Sequence, residues 1–172
     1  MPDRRFARAR HATVATTLAS LDGRFLEESR CWFGGGTRIV LDLGEYRESE
    51  DLAFLCSSTA GYRSLRSTIS ERSLGKIAAR PLALAREVRA DRYGIRTVLD
   101  IDDAKLKFEI VLEGRIELAG GSRIGFDVPC LSHADCFAET LLANADRWRD
   151  DAVLSRDVID LAFMVEGWSR LL

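Results

Sequence analysis

A run of three glycines restricts the local fold of this chain more than any other sequence feature. Residues 30–33 are predicted to form a short strand that runs directly into glycines 34–36. Thr37 follows them as a plausible N-cap for the next helix. A second strand is predicted over residues 50–56, and it carries Asp51. The pattern therefore predicts a strand, a glycine turn, a short helix and an acidic strand in succession.

This succession has a specific chemical use. Glycines let backbone N–H groups approach a phosphate closely, and the helix N-terminus that follows adds a partial positive charge. A carboxylate on the next strand lies where a phosphate-bridging Mg²⁺ needs a ligand. The glycines alone would be read as a plain turn, but Asp51 beside them favours a phosphate site. Together they suggest nucleotidyl transfer.

The middle of the chain is predicted to be rich in strands. The clearest alternation covers residues 105–113: Leu106, Phe108, Ile110 and Leu112 point one way, and Lys105, Lys107, Glu109, Val111 and Glu113 point the other. Such a strand packs one face on a core and leaves the other face open. Further strands are predicted at residues 82–90 and 95–102.

Helices are predicted at both ends of the chain. An N-terminal helix over residues 5–20, ended by Asp22-Gly23, and a helix over residues 59–70 precede two C-terminal helices, capped by Ser132 and Ser155. The last helix shows an apolar stripe of Val158, Leu161, Val165, Trp168 and Leu172. The predicted fold class is α/β (α+β), a mixed β-sheet with packed helices. We expect an α/β core over residues 1–128 and a helical C-terminal portion of the same domain over residues 129–172.

Composition limits the function classes. With 47% hydrophobic residues, 30% charged residues and no apolar run of about 18 residues, the sequence predicts a cytoplasmic protein without a membrane partner. Charge is unevenly spread: residues 62–97 hold nine basic and three acidic residues, and residues 98–172 hold eight basic and fifteen acidic ones. A basic face beside an acidic site would suit a polyanion, although scattered solvated arginines give the same count.

The cysteines and histidines do not suggest a zinc site. None of the four cysteines forms a C-x-x-C pair, so buried free thiols are expected. His11 and His133 are expected to be ordinary surface residues.

Residue spacing draws attention to position 53. Residues 51 and 53 project from the same face of a strand, where metal-dependent nucleotidyl transfer requires two carboxylates. Residue 53 is alanine. Glu109, on the open face of the alternating strand, is the candidate for a third carboxylate, and its neighbour Lys107 is placed to touch phosphate.

Four ordered blocks of sequence resemble a known family. They are Gly35-Gly36-Thr37 with Arg47-Glu48-Ser49-Glu50-Asp51-Leu52-Ala53-Phe54, then Leu106–Ile110, then Val128–Ser132 with Phe137–Ala143, and finally Ser155–Leu161. The corresponding family patterns are R-x-S-x-D-I-D-F for the first block, A-E-K-L-L-A for the third and R-D-x-x-D-L for the fourth. On these blocks the chain resembles the AbiEii/AbiGii-type nucleotidyltransferases, the toxins of type IV toxin–antitoxin systems, within the polymerase-beta-like nucleotidyltransferase superfamily.

The resemblance implies a set of roles. It implies Mg²⁺ as cofactor, an NTP as substrate, RNA or tRNA as acceptor and an antitoxin protein as partner. The catalytic residues would be Asp51, Glu109 and Asp157, with Asp51 and Glu109 also holding the metal. The nucleotide would be bound by Gly35, Gly36, Thr37, Arg47, Ser49 and Lys107, although Arg47 and Ser49 could instead pin the loop before the acidic strand.

Two departures from the family pattern bear on activity. Ala53 replaces the second aspartate of D-x-D, and Thr140 replaces the lysine of A-E-K-L-L-A. We therefore expect a nucleotidyltransferase that is impaired as written. The alternative is a catalytically dead nucleotide- or protein-binding homologue that acts through a partner. The sequence leaves two explanations of Ala53 open: natural degeneration, or a substitution made to silence the enzyme.

Overall fold

A computed structural model describes residues 6–120, 125–150 and 155–168. A short 3₁₀ turn at Gly75–Ile77 lies between the helix Thr59–Thr68 and the strand Leu84–Ala90. In chain order the elements are α1 (Ala9–Leu18), α2 (Gly23–Glu28), β1 (Cys31–Gly34), α3 (Gly35–Asp42), β2 (Leu52–Cys56), α4 (Thr59–Thr68), β3 (Leu84–Ala90), β4 (Gly94–Ile101), β5 (Ala104–Leu112), α5 (His133–Arg147) and α6 (Arg156–Trp168).

The strands form one mixed sheet in the order β1-β2-β5-β4-β3. Strands β2 and β5 pair in parallel, and the other neighbours pair antiparallel. The parallel pair places the acidic strand β2 beside the alternating strand β5, with Ala53 opposite Glu109. The predicted fold class, a mixed sheet with packed helices, is confirmed.

One face of the sheet carries the main core. Leu106, Phe108 and Ile110 of β5 are fully buried there, while Lys105 and Lys107 are exposed on the other face. This is the alternation that the sequence predicts. Helices α1, α2 and α4 cover the buried face, and the residues that they contribute include Val14, Leu18, Leu26, Tyr62 and Leu65.

The second face is covered at one end only. Helices α3, α5 and α6 pack over the β1–β2 end, in a smaller apolar cluster that contains Ile39, Leu55, Cys136, Met164 and Trp168. Over β3, β4 and β5 the same face is open to solvent, and its exposed side chains are mostly charged. The candidate site lies at the border between the covered and the open part.

Three expectations from the sequence are wrong. Asp22 does not simply end the first helix, because its side chain accepts a hydrogen bond from the Phe25 N–H and caps α2. His11 is fully buried rather than on the surface. The apolar stripe of α6 faces the core only in part: Val158 and Val165 are 53% and 56% exposed, Trp168 is buried, and Leu172 lies outside the described residues.

The buried side of α6 is instead formed by Asp157, Asp160, Met164 and Trp168. Two of these residues are acidic, because this side of the helix faces a polar pocket and not only the apolar cluster. Ser155 has a φ of +59°, which differs from the extended conformation of an ordinary N-cap.

All four cysteines are free and buried, as predicted. Cys31 and Cys56 are direct cross-strand neighbours on β1 and β2. Burial, followed by the adjacent Cys56, raises the pKa of the Cys31 thiol well above its ordinary value. The hydrogen bond with Cys31 in turn lowers the pKa of the Cys56 thiol from its ordinary value.

Candidate functional site

An open pocket of about 210 Å³ lies where β2 and β5 meet α3, α5 and α6. All nine residues that the sequence nominated as site residues line it. They are Gly35, Gly36, Thr37, Arg47, Ser49, Asp51, Lys107, Glu109 and Asp157; Leu52, Ala53, Arg147, Arg156 and Asp160 line it too. Asp51 and Glu109 therefore lie on the same side of the sheet, as the predicted chemistry requires.

The glycine turn forms one wall of this pocket. Gly34 is the N-cap of α3 in an extended conformation, and Gly35 has a φ of +69°, which strongly favours glycine. A Cβ at Gly35 would lie 3.1 Å from the Cβ of Ala53. The first N–H groups of α3 have no partner within the helix, so this wall presents hydrogen-bond donors.

Thr37 does not cap α3 as predicted, because the helix begins two residues earlier. Its hydroxyl instead lies 2.8 Å from the hydroxyl of Ser49, which fastens the helix to the loop before β2. The Ser49 N–H donates to Nε2 of His11 at 3.2 Å. His11 is thus a supporting residue that sequence reasoning missed.

His11 is itself held from its other nitrogen. Nδ1 lies 2.8 Å from Oε1 of Glu45, so the hydrogen-bond pattern assigns the proton to Nδ1. Burial acts to raise the pKa of Glu45, but N–H donors of Ala7 and Arg8, together with His11, lower it. The Glu45 carboxylate, the His11 imidazole and the Ser49 backbone amide therefore form a chain of hydrogen bonds that fixes the loop. The R-x-S spacing is the sequence feature that marks this loop.

Arg47 and Asp160 form a second support. Both oxygens of Asp160 accept from Arg47, Oδ1 from Nε at 2.8 Å and Oδ2 from Nη2 at 2.6 Å. The Tyr46 hydroxyl also donates to Oδ1, at 2.6 Å. Burial, followed by the bond to Asp160, raises the pKa of Tyr46. Arg47 was nominated as a nucleotide contact, and here its guanidinium ties α6 to the loop.

This ion pair also explains the third glycine. A Cβ at Gly36 would lie 2.4 Å from Nη2 of Arg47 and 3.1 Å from Oδ2 of Asp160. The glycine is therefore required by the packing of the Arg47–Asp160 pair over the first turn of α3. It leaves the neighbouring backbone open to the pocket at the same time.

Asp157 is held by a cation from α5. Arg147 donates from Nη2 to Oδ1 of Asp157 at 2.8 Å, and the Asp157 residue is only 7% exposed. The other oxygen, Oδ2, is buried and has no hydrogen-bond partner among the described residues. Arg147 was not nominated from the sequence, although it lies seven residues after Thr140, on the same side of its helix.

Glu109 is the most heavily paired of the three candidate carboxylates. Arg96 donates from Nε to Oε1 at 2.6 Å, and Nζ of Lys107 lies 3.5 Å from Oε2. Its register partner on β2 is Ala53, which contributes no oxygen. Asp51 lies just before β2 and is exposed. Asp51 and Glu109 are therefore two carboxylates near position 53, and position 53 itself supplies none.

No group of three or more His, Cys, Asp or Glu side chains within the described residues is arranged to hold a metal ion. The donor set of the pocket agrees with this, because Asp157 and Asp160 are each engaged by an arginine. Asp51 is the exposed carboxylate left for a cation, and Glu109 could join it only by exchanging its contacts with Arg96 and Lys107. They suit an ion that also takes ligands from bound phosphate.

A smaller cavity of about 120 Å³ adjoins the pocket at Thr140. The Thr140 hydroxyl folds back and donates to the carbonyl of Cys136 at 2.7 Å, so it does not reach the pocket. Beside it, burial, followed by the carboxylate of Glu113, raises the pKa of Glu139 to about 7. The volume that a longer side chain at position 140 would occupy is partly empty.

The mixed sheet and the pocket at its border define the class: this is a nucleotidyltransferase-like fold with a glycine turn and acidic residues at one site. The chain belongs to the AbiEii family. The family described as "Nucleotidyl transferase AbiEii toxin, Type IV TA system" matches residues 18–171. The recognition made from the four sequence blocks is confirmed.

One solved structure supports the fold. JHP933 from Helicobacter pylori superposes with a TM-score of 0.51 at 16% identity, covering 94% of this chain and 67% of that one. A second H. pylori crystal structure, provisionally described as a nucleotidyltransferase, gives a TM-score of 0.43 at 16% identity and covers 76% of this chain and 56% of that one. The chain therefore spans about two thirds of the first protein, 67%, and little more than half of the second, 56%.

No curated protein matches this chain significantly. Across the described ranges, the helices are all too short or too polar to cross a bilayer.

Proposed function

We propose that the pocket binds a nucleoside triphosphate and transfers its nucleoside monophosphate to an RNA acceptor, with tRNA as the first candidate, at a rate that Ala53 and Thr140 strongly reduce. One observation carries this proposal. The glycine turn at the start of α3 and the carboxylates of Asp51, Glu109 and Asp157 line a single pocket.

The triphosphate is proposed to lie against the start of α3. The N–H groups of Gly36 and Thr37 and the dipole of the helix favour an anion there. Ser49 is bonded to Thr37 and lines the same wall. Lys107 lies across the pocket and adds a positive charge to it. These groups bind and orient the phosphates.

A Mg²⁺ ion is proposed to be held by Asp51 and Glu109, because Mg²⁺ in such sites takes one or two carboxylates plus phosphate oxygens and water. When bound, it supplies charge neutralisation at the phosphates. The absence of an oxygen at Ala53 restricts the site to one such ion. Binding also requires Glu109 to exchange contacts with Arg96 and Lys107, which weakens the site further.

Asp157 is proposed to orient the acceptor. Arg147 holds one of its oxygens at 2.8 Å, while the other has no partner within the described residues. Once the pocket opens enough to expose this buried oxygen, it can accept a hydrogen bond from an incoming hydroxyl. Arg147 holds the side chain in this orientation, so it acts as a positioning residue.

The second candidate function is nucleotide or protein binding without turnover, with an antitoxin as the partner that the family suggests. Two features favour this candidate. Glu109 is already paired with Arg96, and the residue opposite it, Ala53, has no carboxylate. Loss of one preorganised electrostatic group commonly costs about 10²–10³ in rate, and this chain departs from the family at two such positions.

Ala53→Asp tests the two candidates directly. Transfer from a radiolabelled NTP to RNA should rise at least about 100-fold in this variant. Ala53→Asn is the matched control, since it has the same shape without the charge and should not rise. Asp51→Asn in the Ala53→Asp background should abolish the gain.

Thr140→Lys extends the test. Added to Ala53→Asp, it should raise transfer again, because the ammonium enters the cavity beside the pocket. If neither the single nor the double variant labels RNA or protein while Mg·NTP still binds, the binding function replaces the enzymatic one. If no variant binds Mg·NTP, the phosphate site itself is refuted.

A further inference from the structure

The open face of the sheet carries a groove of about 640 Å³ that adjoins the candidate site. Five cations line it together with one acid, Glu87; the cations are Arg86, Arg89, Arg96, Lys105 and Lys107. The other lining residues are Thr97 and Val98. We name this surface the sheet groove.

The sheet groove and the candidate site are continuous through the strand register. Ala53 pairs with Glu109, Glu109 with Arg96, and Arg96 with Arg89, so one row crosses from β2 to β3. Lys107 lines both the pocket and the sheet groove. A chain lying in the groove would therefore reach the pocket at Glu109.

The charges of the groove are not all neutralised within the protein. Arg96 pairs with Glu109 and Asp91, and Lys105 pairs with Asp100. These ion pairs lie on β4 and β5 and at the turn between β3 and β4.

Arg86 and Arg89 differ from these residues. Both are exposed on β3 and neither has an ion pair within the described residues. Among the described lining residues Glu87 is the one acid, so these two arginines beside Arg96 keep a net positive charge that attracts an anionic ligand.

We infer that the sheet groove binds a single-stranded polynucleotide and leads its end to the candidate site. The inference rests on the proposed function in that it takes RNA, the proposed acceptor, as the strand. Phosphates would lie on Arg86, Arg89 and the lysines. Val98 lies between Lys107 and Arg86 in the register, so it offers an apolar surface to a sugar or base.

A single strand fits this surface better than a duplex. Only the single strand can place its phosphates on the cations and turn a base towards Val98. Its unpaired end also carries a free hydroxyl that can enter a pocket, and its unstacked bases can turn out towards the protein.

The test measures binding of a 5′-labelled single-stranded RNA of about 12 nucleotides by fluorescence anisotropy at several salt concentrations. The test variant is Arg86→Gln/Arg89→Gln. The matched control is Arg63→Gln/Arg72→Gln, which removes two exposed and unpaired arginines outside the groove. Arg63 lies on α4, which covers the opposite face.

Each phosphate contact adds about 0.7 to the slope of log affinity against log salt for a single strand, so the test variant should lose about 1.4 from this slope. Between 50 and 200 mM salt, the unmodified protein should therefore lose about sevenfold more affinity than the test variant. The control should behave like the unmodified protein. Mg·NTP binding should not change in either variant.

Three results would overturn the inference. The first is an RNA affinity and salt slope in the test variant that equal those of the unmodified protein, which would leave Arg86 and Arg89 as charges that only protect the edge strand from aggregation. The second is equal loss in both variants. The third is equal binding of a duplex with the same dependence on the two arginines. If RNA binding depends on them but no Mg·NTP binds, the sheet groove stands and the proposed nucleotide site fails.

Discussion

Asp160 offers the sharpest test of how the site is held together. Its carboxylate is buried, at 4% side-chain exposure, and accepts three hydrogen bonds from Arg47 and Tyr46. Asp160→Ala removes all three and leaves a partly buried guanidinium without its counter-charge. Breaking a buried pair in this way costs about 3–5 kcal/mol.

The structure places the expected value at the lower end of this range. The Arg47 side chain is 20% exposed, so water can solvate part of its charge once the partner is gone. Arg47 also keeps its bond from Nη1 to the carbonyl of Glu48. We therefore expect a loss of about 3 kcal/mol in the free energy of unfolding. The melting temperature of a protein of this size should fall by roughly 6–12 °C.

Urea unfolding followed by circular dichroism measures this loss. Glu166→Ala is the matched control, because it removes an exposed carboxylate from the same helix and should change stability by less than about 0.5 kcal/mol. A double-mutant cycle with Arg47→Met should show a coupling energy of about 2 kcal/mol between the pair. A loss below about 1 kcal/mol in Asp160→Ala would refute the view that this pair docks α6 on the site.

Two further predictions concern the same region. Because the pKa of Glu139 is raised to about 7 by burial and by Glu113, the folded protein holds this proton more tightly than the unfolded chain. Its stabilising contribution is present at low pH and is lost as pH rises towards and through 7; Glu139→Gln should remove that loss in urea midpoints measured from pH 5 to 8, and equal pH profiles would contradict this. Gly36→Ala should cost about 1–3 kcal/mol, because its Cβ would collide with Arg47. Gly114→Ala is the control in the same unfolding assay, since nothing lies within 4 Å of a Cβ there, and an equal loss in both would disprove the collision.

Local patterns predicted the elements of the fold well. The alternation through Leu106, Phe108 and Ile110 follows the two-residue period of a strand, which depends on the backbone alone. The Ser132 cap of α5 is also a local feature, and its hydroxyl does accept from the Asp135 N–H at 3.1 Å. Such features need no information from distant parts of the chain.

The last helix shows where local reasoning fails. Its sequence offers an apolar stripe that includes Val158 and Val165, and a helical period cannot show which side meets the protein. The structure buries Asp157 and Asp160 instead, because Arg147 and Arg47 come from other elements to pair with them. Partners from distant elements make a carboxylate suitable for burial, and a single helix does not reveal them.

The sequence by itself determined which residues are candidates for the site, because the glycine turn and the ordered motifs are local features of the chain. Only the tertiary structure decided what their side chains contact. Pairing of β2 with β5 placed Ala53 opposite Glu109, and packing of α6 turned Arg47 towards Asp160. His11 became a support of the loop only because folding buried it beside Ser49. Long-range pairing and packing depend on chain segments that are far apart in sequence, and no local period records their relative positions.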